Sequence, residues 1–164
     1  MAEPTRLPLD RRFIRLERVV GYATAAGLSL AGLVVVAAVA RWSTLATPGV
    51  VAVAVGWLVV TIALAWLAHR WPELEFRHTT YVVGADAMDI QAGVLWRHAT
   101  LVPRSRVQHT DVTQGPLERR HGLATLVIHT AGTEHARVSL AGLSHETALA
   151  LRDHLLPRGE ADAV

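Results

Sequence analysis

The stretch RVQHTDVTQGPLERRHGLATLVIHTAG, Arg106–Gly132, decides how the second half of this 164-residue chain folds. Val107 to Gln114 is rich in β-branched and polar residues, which suits an edge or partly exposed strand. Gly115-Pro116 breaks it, and Leu117 to Gly122 reads as a turn or one helical turn. Ala124, Leu126 and Ile128 then alternate with Thr125, Val127 and His129. After a turn at Ala131-Gly132-Thr133, Ala136, Val138 and Leu140 alternate with Arg137 and Ser139, so the two runs form a β-hairpin.

Downstream, Ser144 is a good N-cap, Glu146 complements a helix start, and Arg152 and His154 complement its end before Pro157. Ala148, Leu151 and Leu155, with Leu149 and Leu156 beside them, form an apolar stripe that would cover a sheet. Upstream, Leu74 to Val83 reads as a first strand and Gly84-Ala85-Asp86 as a turn. Met88, Ile90 and Ala92 alternate before Gly93, and a strand from Leu95 to Val102 stops before Pro103. Six or seven antiparallel strands and a final helix make an α+β domain over residues 71–157. Its order of elements resembles a PH-like antiparallel barrel or sandwich capped by the C-terminal helix. Residues 158–164 are expected to be a disordered tail.

The first half differs sharply. No charge lies between Arg18 and Arg41, nor from Trp42 to Ala68. Residues 19–40 would make a helix of about 33 Å against a hydrocarbon core of roughly 30 Å. Residues 50–68, after the breaker Thr47-Pro48-Gly49, supply a second span, so the fold begins with a two-helix transmembrane hairpin. Trp42 and Trp71 fall near span ends, where aromatic rings favour the headgroup level. Ala38-Val39-Ala40 also resembles a signal-peptide cleavage site, although the apolar stretch exceeds a usual h-region.

Arg6, Arg11, Arg12, Arg15 and Arg18 lie in the basic segment 1–18, and Arg70 and Arg77 follow the second span. The connecting loop carries only Arg41. That asymmetry predicts a bacterial inner-membrane protein with both termini cytoplasmic. Segment Arg11 to Arg18 could also lie against anionic lipid. The spans hold no charged side chain, and their small polar groups are the hydroxyls of Thr24, Ser29, Thr61, and Ser43, Thr44 and Thr47 toward the loop. Conduction through this hairpin alone is therefore not expected. Ala23, Gly27 and Ala31 recur every four residues, a small-residue face for packing on the second helix or on another protein.

The chain has no cysteine, which excludes disulfides and thiolate chemistry, and all 16 basic residues are arginine. Its net charge of +2 gives no indication of a nucleic-acid partner. The nine histidines begin at His69, yet His145-Glu146 has Leu149 where an H-E-x-x-H site needs histidine. His129 and His135 flank a hairpin turn with their side chains on the polar side. No metal or other cofactor is expected. Ser105, Ser139 and Ser144 lack a nucleophile-elbow setting, so no catalytic residue is assigned. Arg104, Arg106, Arg119 and Arg120 are the candidate contact for an anionic lipid or a partner, since a guanidinium fork grips phosphate or carboxylate. Alternatively, Arg106 and Arg119 pair with Asp111 or Glu118 and brace the turn, leaving Arg104 and Arg120 solvated.

The words VPRSRVQHTDVTQGPLERRHGLATLVIHTAG and LAGLSHETALALRDHL, with two preceding spans, resemble the bacterial PH-like, membrane-flanked YdbS family from about Arg12 to Leu156. The specific part is the pattern Pro103, Arg106, Gln108, Gly115, Pro116, Arg119, Gly122, Leu123, Ala131 and Gly132. His121 departs from it, standing where many members have Phe or Leu. The resemblance implies a membrane protein with a cytoplasmic bacterial PH-like domain and supplies no catalytic residues. The expected function is non-enzymatic: presentation of that domain for protein interaction or assembly, envelope-related, in a homo- or hetero-oligomer with a related membrane protein. The alternative is an anionic-lipid headgroup sensor using the four arginines, and an enzyme is the third reading.

Overall fold

The computed structural model describes residues 6–42, 47–131 and 137–155. Ser43, Thr44, Gly132, Thr133, His135, Ala136, Leu156, Pro157 and the expected tail 158–164 lie outside these residues. The chain divides into a helical unit, Glu17–Glu73, and a sheet unit that joins Met1–Leu16 to Leu74–Val164.

The helical unit is built from α1 (Arg12–Trp42) and α2 (Thr47–His78). Pro48 sits in the first turn of α2, where its missing N–H would have no intrahelical partner anyway. The expected breaker is thus a helix start. The helices meet where a Cβ on Gly21 would lie 3.1 Å from Ala68 Cβ and one on Gly32 would strike the Trp57 ring. Ala25 is buried, and Trp57 Nε1 donates to the Ser29 carbonyl at 3.0 Å. The face expected to pack, Ala23, Gly27 and Ala31, is exposed, and Gly27 has open space around it. Two residues are about 200° around a helix, so both stripes read as small residues while lying on nearly opposite faces. A tryptophan N–H needs an acceptor, and Gly32 lets the indole reach one.

At its charged end this unit is fastened by Arg18, whose guanidinium meets Glu73 at 2.5 Å and donates to the His69 carbonyl at 3.2 Å. Tyr22 Oη lies 3.1 Å from His69 Nδ1. Both helices are long and apolar enough to cross a bilayer, and almost none of their apolar windows is buried by protein. Leu30, Val34, Val59, Ile62 and Trp66 are each at least 60% exposed, a surface that hydrocarbon rather than water suits.

The sheet unit holds two antiparallel sheets. One has the order β1 (Leu7–Pro8), β2 (Thr80–Val83), β3 (Ala87–Ala92), β4 (His98–Pro103); the other runs β5 (Val107–Thr113), β6 (Leu123–Thr130), β7 (Arg137–Ser144). A short 3-10 turn, Arg104–Arg106, makes the corner between them. The expected strand Leu74 to Val83 is mostly helix: α2 continues to His78, whose Nδ1–H donates to the Leu74 carbonyl at 2.7 Å. Leu74-Glu75-Phe76-Arg77-His78 fits a helix as well as a strand, and Phe76 packs against the core from the helix. Likewise β4 begins at His98 rather than Leu95. Leu95 and Trp96 lie in the preceding loop.

β6 is the middle strand of its sheet, and Leu123, Ala124, Leu126, Val127 and Ile128 are all buried. Simple alternation therefore understates its core contribution. Ser144 accepts a hydrogen bond from the Thr147 N–H at 3.1 Å and caps α4 (His145–Leu155), which buries Ala148, Leu151 and Leu155 against the same sheet. Burial also pushes the Tyr81 phenol up, so it stays uncharged at neutral pH.

The basic N-terminal segment is more than a charge signal. Leu9, Phe13 and Leu16 belong to the core with Leu126, Leu140 and Leu143. Asp10 starts α1 by accepting from the Arg12 N–H at 2.8 Å, and its own N–H donates to the Gly142 carbonyl at 2.9 Å. Gly142, at φ 78°, sits in the extra pair Ala141-Gly142 where β7 bulges against β6. Cleavage after Ala40 would strip three residues from this core, which counts against the signal-peptide reading.

Thr110 is buried with its hydroxyl unpartnered among the described residues. Thr110→Val is expected to be neutral or to stabilise the sheet unit by up to about 1 kcal/mol, because it removes an unpaired polar atom. Hydrogen exchange of β5 and β6 amides in the full chain would measure it.

Candidate functional site

The fold separates the four arginines expected to act together. Arg104 and Arg106 stand at the start of β5, and Arg119 and Arg120 lie on α3 (Pro116–His121) beyond its other end. Seven strand residues intervene, roughly 23 Å at about 3.3 Å each. Arg104 is a structural tie: its N–H donates to the Asp86 carbonyl at 2.9 Å and its guanidinium to the Ala85 carbonyl at 3.1 Å. The expected bracing pairs are replaced by others. Glu118 accepts from Gly115 N–H and from Thr125 Oγ1, both at 2.7 Å, fixing α3 to β6. Asp111 faces His109 at 2.8 Å and His129 at 3.5 Å. Arg106, Arg119 and Arg120 are exposed.

His109 and His129 are a cross-strand pair with ring centroids 5.8 Å apart, each turning Nε2 toward Asp111. This triad is a surface polar cluster on β5 and β6. No three or more acid or histidine groups are placed to hold a metal among the described residues. His98 lies on β4 and His121 on α3, apart from that pair, and His121 Nδ1–H donates to the Leu117 carbonyl at 2.9 Å.

Two surfaces that sequence reasoning passed over have a defined shape. The first is the outer edge of β4, with which no strand pairs among the described residues. Leu101 on it is 65% exposed, beside a cleft of about 170 Å³ walled by Thr100, Val102, Arg106, Thr130 and Val138. The second is a cavity of about 410 Å³ at the opposite end of the β2–β3–β4 sheet from the Arg104 corner. Arg6, Arg77 and Arg97 line it with His78, His98 and Gln91, and no carboxylate is among its lining residues within the described part of the chain. These arginines are distant in sequence. The pairing of β1 with β2 and of β3 with β4 brings them together, and no local motif announces it.

The family model described as "Bacterial PH domain" matches residues 12–159. The UPF0699 transmembrane protein YdbS of Bacillus subtilis (strain 168) is 36% identical over 99 residues, covering 60% of this chain. The match spans 58% of that relative's length. No solved structure matches the chain.

Proposed function

Since the chain belongs to the bacterial PH domain family, we propose that it is a non-enzymatic membrane protein that presents its sheet unit on the cytoplasmic side for protein interaction or assembly. The open edge of β4 carries this reading. An unpaired strand offers its N–H and C=O groups to a strand from a partner, and the exposed Leu101 and the mixed polar and apolar cleft wall supply side-chain contacts. A homo- or hetero-oligomer with a related membrane protein fits that chemistry. Ala23, Gly27 and Ala31, left uncovered by α2, offer a second contact within the bilayer. The arginine excess of residues 6–18 and of Arg70 and Arg77 supports the cytoplasmic placement.

Crosslinking in native membranes tests the reading. Wild-type protein should be captured with a partner or a second copy. Leu101→Asp, which puts a charge on the open edge, should lower that capture about tenfold at unchanged protein level, corresponding to about 1.4 kcal/mol. Recovery of the wild type as an isolated monomer would count against it.

A further inference from the structure

We propose that the cavity lined by Arg6, Arg77 and Arg97 binds the phosphate of an anionic membrane-lipid headgroup, with Leu95 and Trp96 inserted beside it. The inference goes beyond partner binding through the β4 edge and rests on other residues.

Three arginines line one cavity, with no carboxylate among the described residues that line it. Each presents paired donors in a planar fork that suits phosphate oxygens. Thr80 adds a hydroxyl to the wall, and Gln91 an amide whose Nε2 also donates to Asp89 at 3.4 Å. His78 already donates through Nδ1 to Leu74, so Nε2 is its remaining polar atom. The volume, about 410 Å³, lies within the range of small-ligand sites. Mutual repulsion among three cations is relieved by an anion, and a weakly hydrated guanidinium loses little on meeting one.

The source of that phosphate is indicated by the loop between β3 and β4. Gly93, at φ 117°, turns the chain so tightly that a Cβ there would strike the Trp96 carbonyl. The loop beyond it leaves Leu95 75% exposed and Trp96 80% exposed, immediately before Arg97. An aromatic and an aliphatic side chain next to a cationic cavity match the water–hydrocarbon boundary, where tryptophan is favoured. A dissolved phosphate would make no use of them. Arg77 also follows Ala68, the end of the uncharged stretch, by only nine positions, which can reach at most about 32 Å.

The test uses the full chain in detergent micelles, titrated with short-chain phosphatidylglycerol, short-chain phosphatidylcholine or inorganic phosphate, with binding followed by native mass spectrometry. Phosphatidylglycerol should bind at least about tenfold more tightly than phosphatidylcholine, the two arms differing in headgroup charge. Arg77→Gln with Arg97→Gln should weaken phosphatidylglycerol about 25-fold, near fivefold for each charge removed, without lowering the thermal transition of these exposed positions. Leu95→Ser with Trp96→Ser should weaken the lipid and leave inorganic phosphate unchanged. Equal binding of the two lipids, or an unaffected Arg77→Gln/Arg97→Gln variant, overturns the site. Inorganic phosphate binding as tightly as phosphatidylglycerol, with Leu95→Ser/Trp96→Ser silent, overturns its assignment to lipid. Crosslinking that survives the arginine changes but not Leu101→Asp would separate this site from the β4 edge.

Discussion

Phe13→Ala should destabilise the sheet unit by about 3–5 kcal/mol, the usual cost of emptying an aromatic site in a core. Phe13 is 6% exposed and lies among Leu16, Leu140 and Leu143, in a segment that precedes the first span. Stability of a small domain is only about 5–15 kcal/mol, so this loss would be a large share of the total. Hydrogen exchange of β6 and β7 in the full chain, held in micelles, is the direct measurement. A change below about 1 kcal/mol would mean that the segment is a peripheral strap, since surface substitutions rarely exceed that size. The same contacts predict that a fragment beginning at residue 71 is an incomplete fold, lacking Leu9, Phe13 and Leu16.

Gly142→Ala comes next in size, at about 2–5 kcal/mol. A left-handed φ costs a residue with a Cβ about 1–2 kcal/mol, and overpacking commonly adds 1–3. At Gly142 both apply: φ is 78°, and a Cβ would lie 2.7 Å from Phe13 Cδ2. The two substitutions should therefore couple. With Phe13 already reduced to alanine, the ring contacts at 2.7 and 2.9 Å are gone and only the Cβ contact at 3.2 Å remains, so the cost should fall toward the backbone share, about 1–2 kcal/mol. Strict additivity in the same exchange measurement would show that Phe13 does not rest on Gly142.

Much of this was legible in the residues. The uncharged runs marked the two long apolar helices, Gly115-Pro116 the start of α3, and Ser144 the cap of α4, because each rests on a local rule that tertiary packing did not override. The role of Phe13 was obscured by its neighbours. Leu9, Phe13 and Leu16 keep a helical spacing, but the arginines among them favoured reading the segment as an orientation signal. Leu74 to His78 was ambiguous by period, and a helix already running propagates more easily than a new strand starts. The four arginines failed as a cluster because closeness in sequence is spent along an extended strand. Arg6, Arg77 and Arg97 succeeded for the converse reason: strand pairing brought together what sequence keeps apart.

Completion of one core by segments lying before and after the membrane hairpin has a consequence for synthesis. Phe13 emerges from the ribosome long before Gly142, and must wait until both spans have been made. If the hairpin inserts with one span missing from the bilayer, the two halves of the core lie on opposite sides and cannot meet. A chain whose two segments end on opposite sides would keep Leu9, Phe13 and Leu16 bare, without the core partners that the rest of the sheet unit supplies.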